Sequence, residues 1–284
     1  MPRSFPSLLG IAVAAAVLSG APAQAATQGA RETGSTTVRA KLKFFDGQGG
    51  EVPVWTNLSL TVSRNDQLIM NDEPLPAAVA TSYFTAPKLL ALDLDDDSDP
   101  ELLLDVFTAG YSCCRRSLIL RFNGQSYDRE IIEWSTDGSR LGNVGGGASP
   151  EFLTDDGRFP RLYGASGARG PLRILRLVDG RLRDVTADLP ERLRKDARVH
   201  ASALRKARRQ RADTRPALAA YVVDLARLGQ IGTARRAIQR AASRRELHTT
   251  QSGFSRRIDA RMIAWGYANR PLLSGVATPV AASR

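Results

Sequence analysis

The sequence predicts an α+β chain, with antiparallel β repeat units through about residue 187 and a helical C-terminal region after them. Three observations predict it. Asn123-Gly124 and Asp179-Gly180 each separate two runs rich in strand-forming residues, the mark of a β-hairpin. After about residue 187 the apolar spacing changes from a strand period to a helical one. Charge changes at the same place: residues 1–188 carry a net −4 and residues 189–284 a net +15, within a total of +11.

The chain begins with Arg3, an apolar run "LLGIAVAAAVL" and the small-x-small triplet Ala23-Gln24-Ala25. That order is the pattern of a cleavable signal peptide over residues 1–25, and the run is shorter than the roughly 18–20 residues of a membrane span. The expected mature protein starts near Ala26, is secreted or extracytoplasmic, and keeps no transmembrane segment. Residues 26–36 (ATQGARETGST) are polar and without period, and read as a flexible tether.

The β region, 37–187, opens with the alternating runs "TVRAKLKFF" and "NLSLTVSR". It also repeats. Aligning Pro100-Glu101 with Pro150-Glu151 pairs "DLDDDSDPELL" with "NVGGGASPEFL" at an offset of fifty residues, and Ile119-Leu120-Arg121 matches Ile174-Leu175-Arg176. "LTVSRNDQLI" is a fainter echo of an earlier unit. Repeats of this length point to blade-like or stacked β units. Two or three are too few to close a propeller, so another element must cover the free edge.

Residues 188–270 read as basic helices. Asp188 and Glu191 have the spacing of a capping box, with Pro190 near the start of a helix running to about Arg211. Leu193, His200 and Leu204 mark one face of it. Thr214 caps a second helix that stops at Gly229, and Thr233 caps a third to about Leu247. A last helix spans about Phe254 to Tyr267, with Ile258, Met262 and Trp265 on one side. Residues 271–284 read as a disordered tail.

The stretch from Asp93 to Asp105 carries seven carboxylates in thirteen residues. Numbered from Asp93, carboxylates fall at positions 1, 3, 5 and 9 (Asp93, Asp95, Asp97 and Glu101), and Asp99 at position 7 can offer its backbone carbonyl. Calcium takes six to eight oxygens at about 2.3–2.6 Å, a demand that alternate residues of a compact loop meet. Without a cation, carboxylates about 5 Å apart repel by roughly 0.8 kcal/mol per pair in water. The other reading is a solvated acidic turn.

"DLDDDSDPELLLD" resembles the DxDGDGxxD loop of FG-GAP or VCBS repeats, the integrin-type propeller units. With "TAGYSCC" and "DGRLRDVT", the wider pattern is similar to small secreted bacterial proteins carrying such repeats. The resemblance covers about residues 57–187. It implies a structural Ca2+ held by Asp93, Asp95, Asp97 and Glu101, with Asp99 as backbone ligand. Asp96 and Ser98 stand where the family has glycines, which enter left-handed backbone regions cheaply. The second copy has Asn143, Gly145 and Gly147 in place of aspartates and keeps only Glu151, so no ion is expected there.

Cys113 and Cys114 are the only cysteines. As neighbours in an exported chain they can form a strained vicinal disulfide, stay as two thiols, or bond between molecules. No CxxC is present, and two histidines argue against a zinc site. "RKARRQR" and the Arg-Arg pairs of the helices offer contact with an anionic envelope surface or polymer, or simply a solvated face. No aromatic residue lies between Tyr163 and Tyr221 to stack bases, which argues against nucleic acid. GxSxG, HExxH and GxxxxGK[ST] are all missing. The expectation is an exported, non-catalytic binding or scaffold protein; the alternative is a secreted enzyme with its site between the β and helical parts.

Overall fold

The computed structural model describes residues 27–35, 37–47, 52–108, 115–134, 138–165 and 168–274. These form three antiparallel sheets followed by helices, an α+β arrangement with no closed barrel. The first sheet runs in chain order through β1 (Thr27–Gly34), β2 (Val38–Asp46), β3 (Val54–Arg64) and β4 (Gln67–Pro74), with β5 (Ser82–Tyr83) also on β3. The second is β6 (Lys88–Leu92), β7 (Glu101–Phe107), β8 (Arg115–Phe122) and β9 (Tyr127–Glu133). The third is β10 (Ser139–Gly142), β11 (Glu151–Asp155), β12 (Leu172–Val178) and β13 (Arg181–Asp184).

The central strands of the second sheet, β7 and β8, are buried on both faces. Leu102, Leu104, Leu118 and Leu120 pack with Leu42, Leu60 and Val62 of the first sheet. Leu103 and Ile119, at the intervening positions, pack with Phe152, Leu175 and Leu177 of the third. This double burial is why "ELLLDVF" and "SLILRF" read as continuous apolar runs rather than alternating ones. Burying each such leucine contributes about 1.5–3 kcal/mol relative to leaving it exposed.

A short helix, α1 (Arg158–Arg161), interrupts the third sheet between β11 and β12. Then come α2 (Pro190–Gln210), α3 (Arg215–Arg227), α4 (Ile231–Ser243) and α5 (Gln251–Ala264). Their core gathers Leu218, Val222, Ile238, Phe254, Ile258 and Met262, and takes in Phe159 of α1, whose ring meets Trp265 and Tyr267 edge-on. The helical core therefore reaches back into the β region. Polar contacts tie the two together at the start of β12: Leu172 donates its N–H to Asp196, and its carbonyl accepts from Arg227 Nη1 at 2.6 Å. Tyr267 donates to Asp156, which Arg158 also grips through two nitrogens. Among the described residues, no helix is long and apolar enough to cross a membrane.

Several elements differ from expectation. Residues 27–34, expected as a tether, form β1, paired with Arg39 to Asp46 of β2. An edge strand needs backbone pairing and not an apolar face, so its polar sequence gave no signal. Asp179-Gly180 makes the expected two-residue turn, with φ of 50° and 70°. Asn123-Gly124 opens a four-residue loop instead, because Asn123 Oδ1 accepts from the N–H groups of Gln125 and Ser126 and widens the turn. The capping box does not form: Leu189 is the N-cap of α2, and Glu191 pairs with Arg194. Thr233 lies inside α4, whose N-cap is Gln230, while α5 begins at Gln251, where Thr250 accepts from Gly253 N–H at 3.1 Å. Residues 272–274, expected in a disordered tail, are held by Asp259, which accepts the N–H groups of Leu272, Leu273 and Ser274.

Candidate metal centre

The acidic loop joins β6 to β7, closing on the paired residues Leu92 and Glu101. Its own aspartates fold it. Asp93 accepts the N–H groups of Asp96 at 2.7 Å and Ser98 at 3.0 Å, and Asp97 accepts that of Asp99 at 2.7 Å. Such side-chain bonds substitute for backbone turn bonds. They hold Asp96 at φ 70° and Ser98 at φ 69°, the left-handed region, at the two positions where the resembled family has glycines.

The loop turns Asp93, Asp95 and Glu101 toward one point, each with a carboxylate oxygen within 4.8 Å of the others. Glu101 is 2% exposed and accepts the Leu94 N–H at 2.8 Å. Burial, with the charges of Asp95 and Asp97, pushes its carboxyl up to about 7. Burial and the charges of Asp97 and Asp93 also raise Asp95, against the opposing charge of Arg121, whose Nε lies 3.3 Å away. Asp95 Oδ1 is buried with no hydrogen-bond partner. Asp97 is exposed and stands outside the group of three, and the side chain of Asp99 pairs with Arg64 of β3. Three of the expected ligands thus converge, in a site able to hold a metal ion.

The loop between β10 and β11 repeats the scaffold with different charge. Glu151, like Glu101, begins a strand and accepts the N–H of the residue seven before it, Val144 at 2.9 Å. Asn143, like Asp93, accepts an N–H three residues on, from Gly146 at 3.0 Å. Gly146 has φ 76°, matching Asp96. The difference is Arg176, whose Nη2 bonds the fully buried Glu151. Burial pushes Glu151 up, but this bond and the Val144 and Gly145 N–H groups outweigh it and hold the carboxyl below its ordinary range. A Cβ on Gly145 would meet both Arg176 Nη2 and Glu151 Oε1. The guanidinium fills the space that Asp95 lines in the first loop.

A second convergent group lies among the helices. Asp196 and His200 sit one turn apart on α2, with Nε2 3.1 Å from Asp196 Oδ2, and Asp224 of α3 places Oδ2 3.7 Å from the same nitrogen. Asp196 keeps Arg169 and the Leu172 N–H as further partners. Burial raises Asp196, but its hydrogen bond with His200 and the charges of His200 and Arg169 outweigh it and leave the carboxyl low. Burial and the neighbouring Asp196 push Asp224 well above the ordinary range. Sequence reading placed His200 on one face of α2 with Leu193 and Leu204, counted two histidines against a zinc site, and did not join His200 to the aspartates. The i, i+4 pair was readable; the arrival of Asp224 depends on how α3 packs. Cys113 and Cys114 lie outside the described residues. The basic side chains Arg192, Lys195, Arg198, Arg205, Lys206 and Arg209 are exposed along α2. Compared with protein families, with curated proteins and with solved structures, the chain matches none, so these sites are read from their geometry alone.

Proposed function

We propose that this chain is an exported, non-catalytic binding or scaffold protein. In this reading its sheets are FG-GAP-like, blade-type repeat units, the 93–101 loop is braced by calcium, and the basic helices face an anionic envelope surface or polymer. One observation carries the calcium reading: the buried oxygen of Asp95 has no donor beside Asp93 and Glu101, whereas the matching space of the second loop holds Arg176. An all-oxygen group suits a hard cation such as calcium. The non-catalytic reading is supported by the junction of sheet and helices, where Asp156, Arg158, Tyr267 and Arg227 satisfy one another or the backbone.

Thermal unfolding in calcium and in chelator tests it. Calcium bound only to the folded state stabilises by about 2.7 kcal/mol at a hundredfold excess over Kd. Asp95→Asn is expected to remove most of that gain and, by relieving repulsion, to leave the chelated protein slightly more stable. Glu151→Gln is expected to lower stability equally in both conditions and leave the calcium gain intact. A wild type equally stable with and without calcium would make the acidic loop a solvated turn.

A further inference from the structure

We propose that Asp196, His200 and Asp224 form a second, structural site for a divalent transition ion of the Zn2+ class, clasping α2 to α3 beneath the third sheet. The three side chains are 5%, 1% and 0% exposed. Asp224 is the telling member: both its carboxylate oxygens are buried and neither has a hydrogen-bond partner. The contact with His200 Nε2 at 3.7 Å is too long to be a hydrogen bond. A carboxylate withdrawn from water with no donor is strongly disfavoured, and buried charges persist where they are paired or bind a metal. Asp196 is already engaged by Arg169, by the Leu172 N–H and by His200, so the unmet demand sits on the side where Asp224 and the imidazole face each other.

The spacing fits one ion. Donors bound at 2.0–2.1 Å to a tetrahedral zinc stand about 3.3–3.4 Å apart. The separations from His200 Nε2, 3.1 Å to Asp196 Oδ2 and 3.7 Å to Asp224 Oδ2, lie on either side of that value. Donor chemistry separates this site from the acidic loop. An imidazole nitrogen among carboxylates suits zinc and its neighbours, whereas calcium and magnesium take oxygen donors. Charge also balances, since two carboxylates and a neutral imidazole offset a divalent ion. The Leu172 N–H and Arg169 then orient Asp196 from outside, the usual role of outer-shell partners. An ion here would join the helices to the first residue of β12 through a single bonded path.

The whole chain is first stripped with a strong chelator and then titrated with Zn2+ alone, with binding followed by calorimetry and by thermal unfolding. One equivalent is expected to bind and raise Tm, and calcium is not expected to displace it. His200→Gln and Asp224→Asn are each expected to weaken binding by more than the roughly 10- to 100-fold that loss of an outer-shell partner brings. Asp95→Asn is expected to leave it unchanged. Should either helical variant fail to fold, the wild type still decides: the chain has only two histidines, and His248 is exposed. The imidazole 15N shift of His200 is expected to move on adding Zn2+. Bound Co2+ is expected to replace the weak colour of the aqueous ion with intense visible bands. No stoichiometric binding and an unmoved His200 signal would overturn the proposal and leave Asp224 neutralised by a proton. Zinc binding that survives Asp224→Asn at full strength would overturn it too.

Discussion

Glu101 and Glu151 begin matching strands and accept matching backbone N–H groups, yet their carboxyls are displaced in opposite directions. Around Glu101 the neighbours are aspartates, and the arginines near them, Arg121 and Arg64, reach Asp95 and Asp99 and not the glutamate. Around Glu151 the aspartates are gone and a guanidinium bonds the carboxylate directly. The same turn is therefore closed in two ways. At the second loop a guanidinium from β12 meets the glutamate, and at the first the acidic group is one that could hold a metal ion. The scaffold of Asx-type turns and a buried strand-initiating glutamate survives the exchange, which separates what folds the loop from what neutralises it.

The largest expected effect comes from pH, where the two glutamates carry opposite signs. Glu101 moves from an ordinary 4.5 up to about 7 on folding, so between those values the folded state binds more protons than the unfolded one. Stability from this group is expected to fall as pH rises from about 4.5 to 7, by on the order of 3 kcal/mol in the limit. Glu151 does the reverse: its lowered carboxyl stabilises above 4.5 and loses that contribution as pH falls through the folded value. The difference in unfolding free energy between wild type and Glu101→Gln, measured in chelator across this range, isolates the first term. Calcium is expected to flatten it, since a bound cation keeps Glu101 ionised. A difference that does not change between pH 5 and pH 8 would show that Glu101 is not desolvated as its position requires.

Arg176→Met breaks the comparison from the other side. It keeps an unbranched apolar stem and removes the guanidinium, leaving a fully buried carboxylate with only backbone donors. Breaking a buried ion pair costs about 3–5 kcal/mol. Arg176 is 36% exposed, and Val144 and Gly145 still donate, so a loss of about 2 kcal/mol is expected. The loss is expected to be equal in calcium and chelator, because Asn143, Gly145 and Gly147 cannot complete an ion site. A calcium gain appearing in this variant would mean that the arginine alone had kept an ion out.

Much of this contrast was legible before the fold. The fifty-residue offset aligned Glu101 with Glu151, the separate match of Ile119-Leu120-Arg121 with Ile174-Leu175-Arg176 aligned the two arginines, and the double burial of β7 and β8 was written in their leucine runs. What escaped was which carboxylate each arginine meets. Arg121 and Arg176 occupy matching strand positions but end 3.3 Å from Asp95 and on Glu151, because Gly145 opens room that Asp95 fills. The helix starts were misread where caps were inferred from residue type: Thr233 and the Asp188–Glu191 pair have the right chemistry at the wrong backbone position. β1 left no trace because pairing satisfies its backbone without an apolar side-chain pattern.

The smallest effect tests the loop backbone itself. Ser98 is exposed and at φ 69°, with its N–H given to Asp93 and no side-chain bond of its own. Holding an L-residue in the left-handed region costs about 1–2 kcal/mol, which glycine avoids. Glycine in turn loses about 0.5–1 kcal/mol through the freedom of its unfolded chain. Ser98→Gly is therefore expected to stabilise by something under about 1 kcal/mol. Because charge and ligand oxygens are untouched, the gain should be the same in calcium and in chelator, unlike that of Asp95→Asn. Ala148, the counterpart of Ser98 in the second loop, is not at positive φ, so Ala148→Gly is expected to lose stability by about the same small margin. Opposite signs at the two positions, read by denaturant unfolding, would establish that Asp93 drives the local chain left-handed. Equal signs would return Ser98 to an ordinary turn.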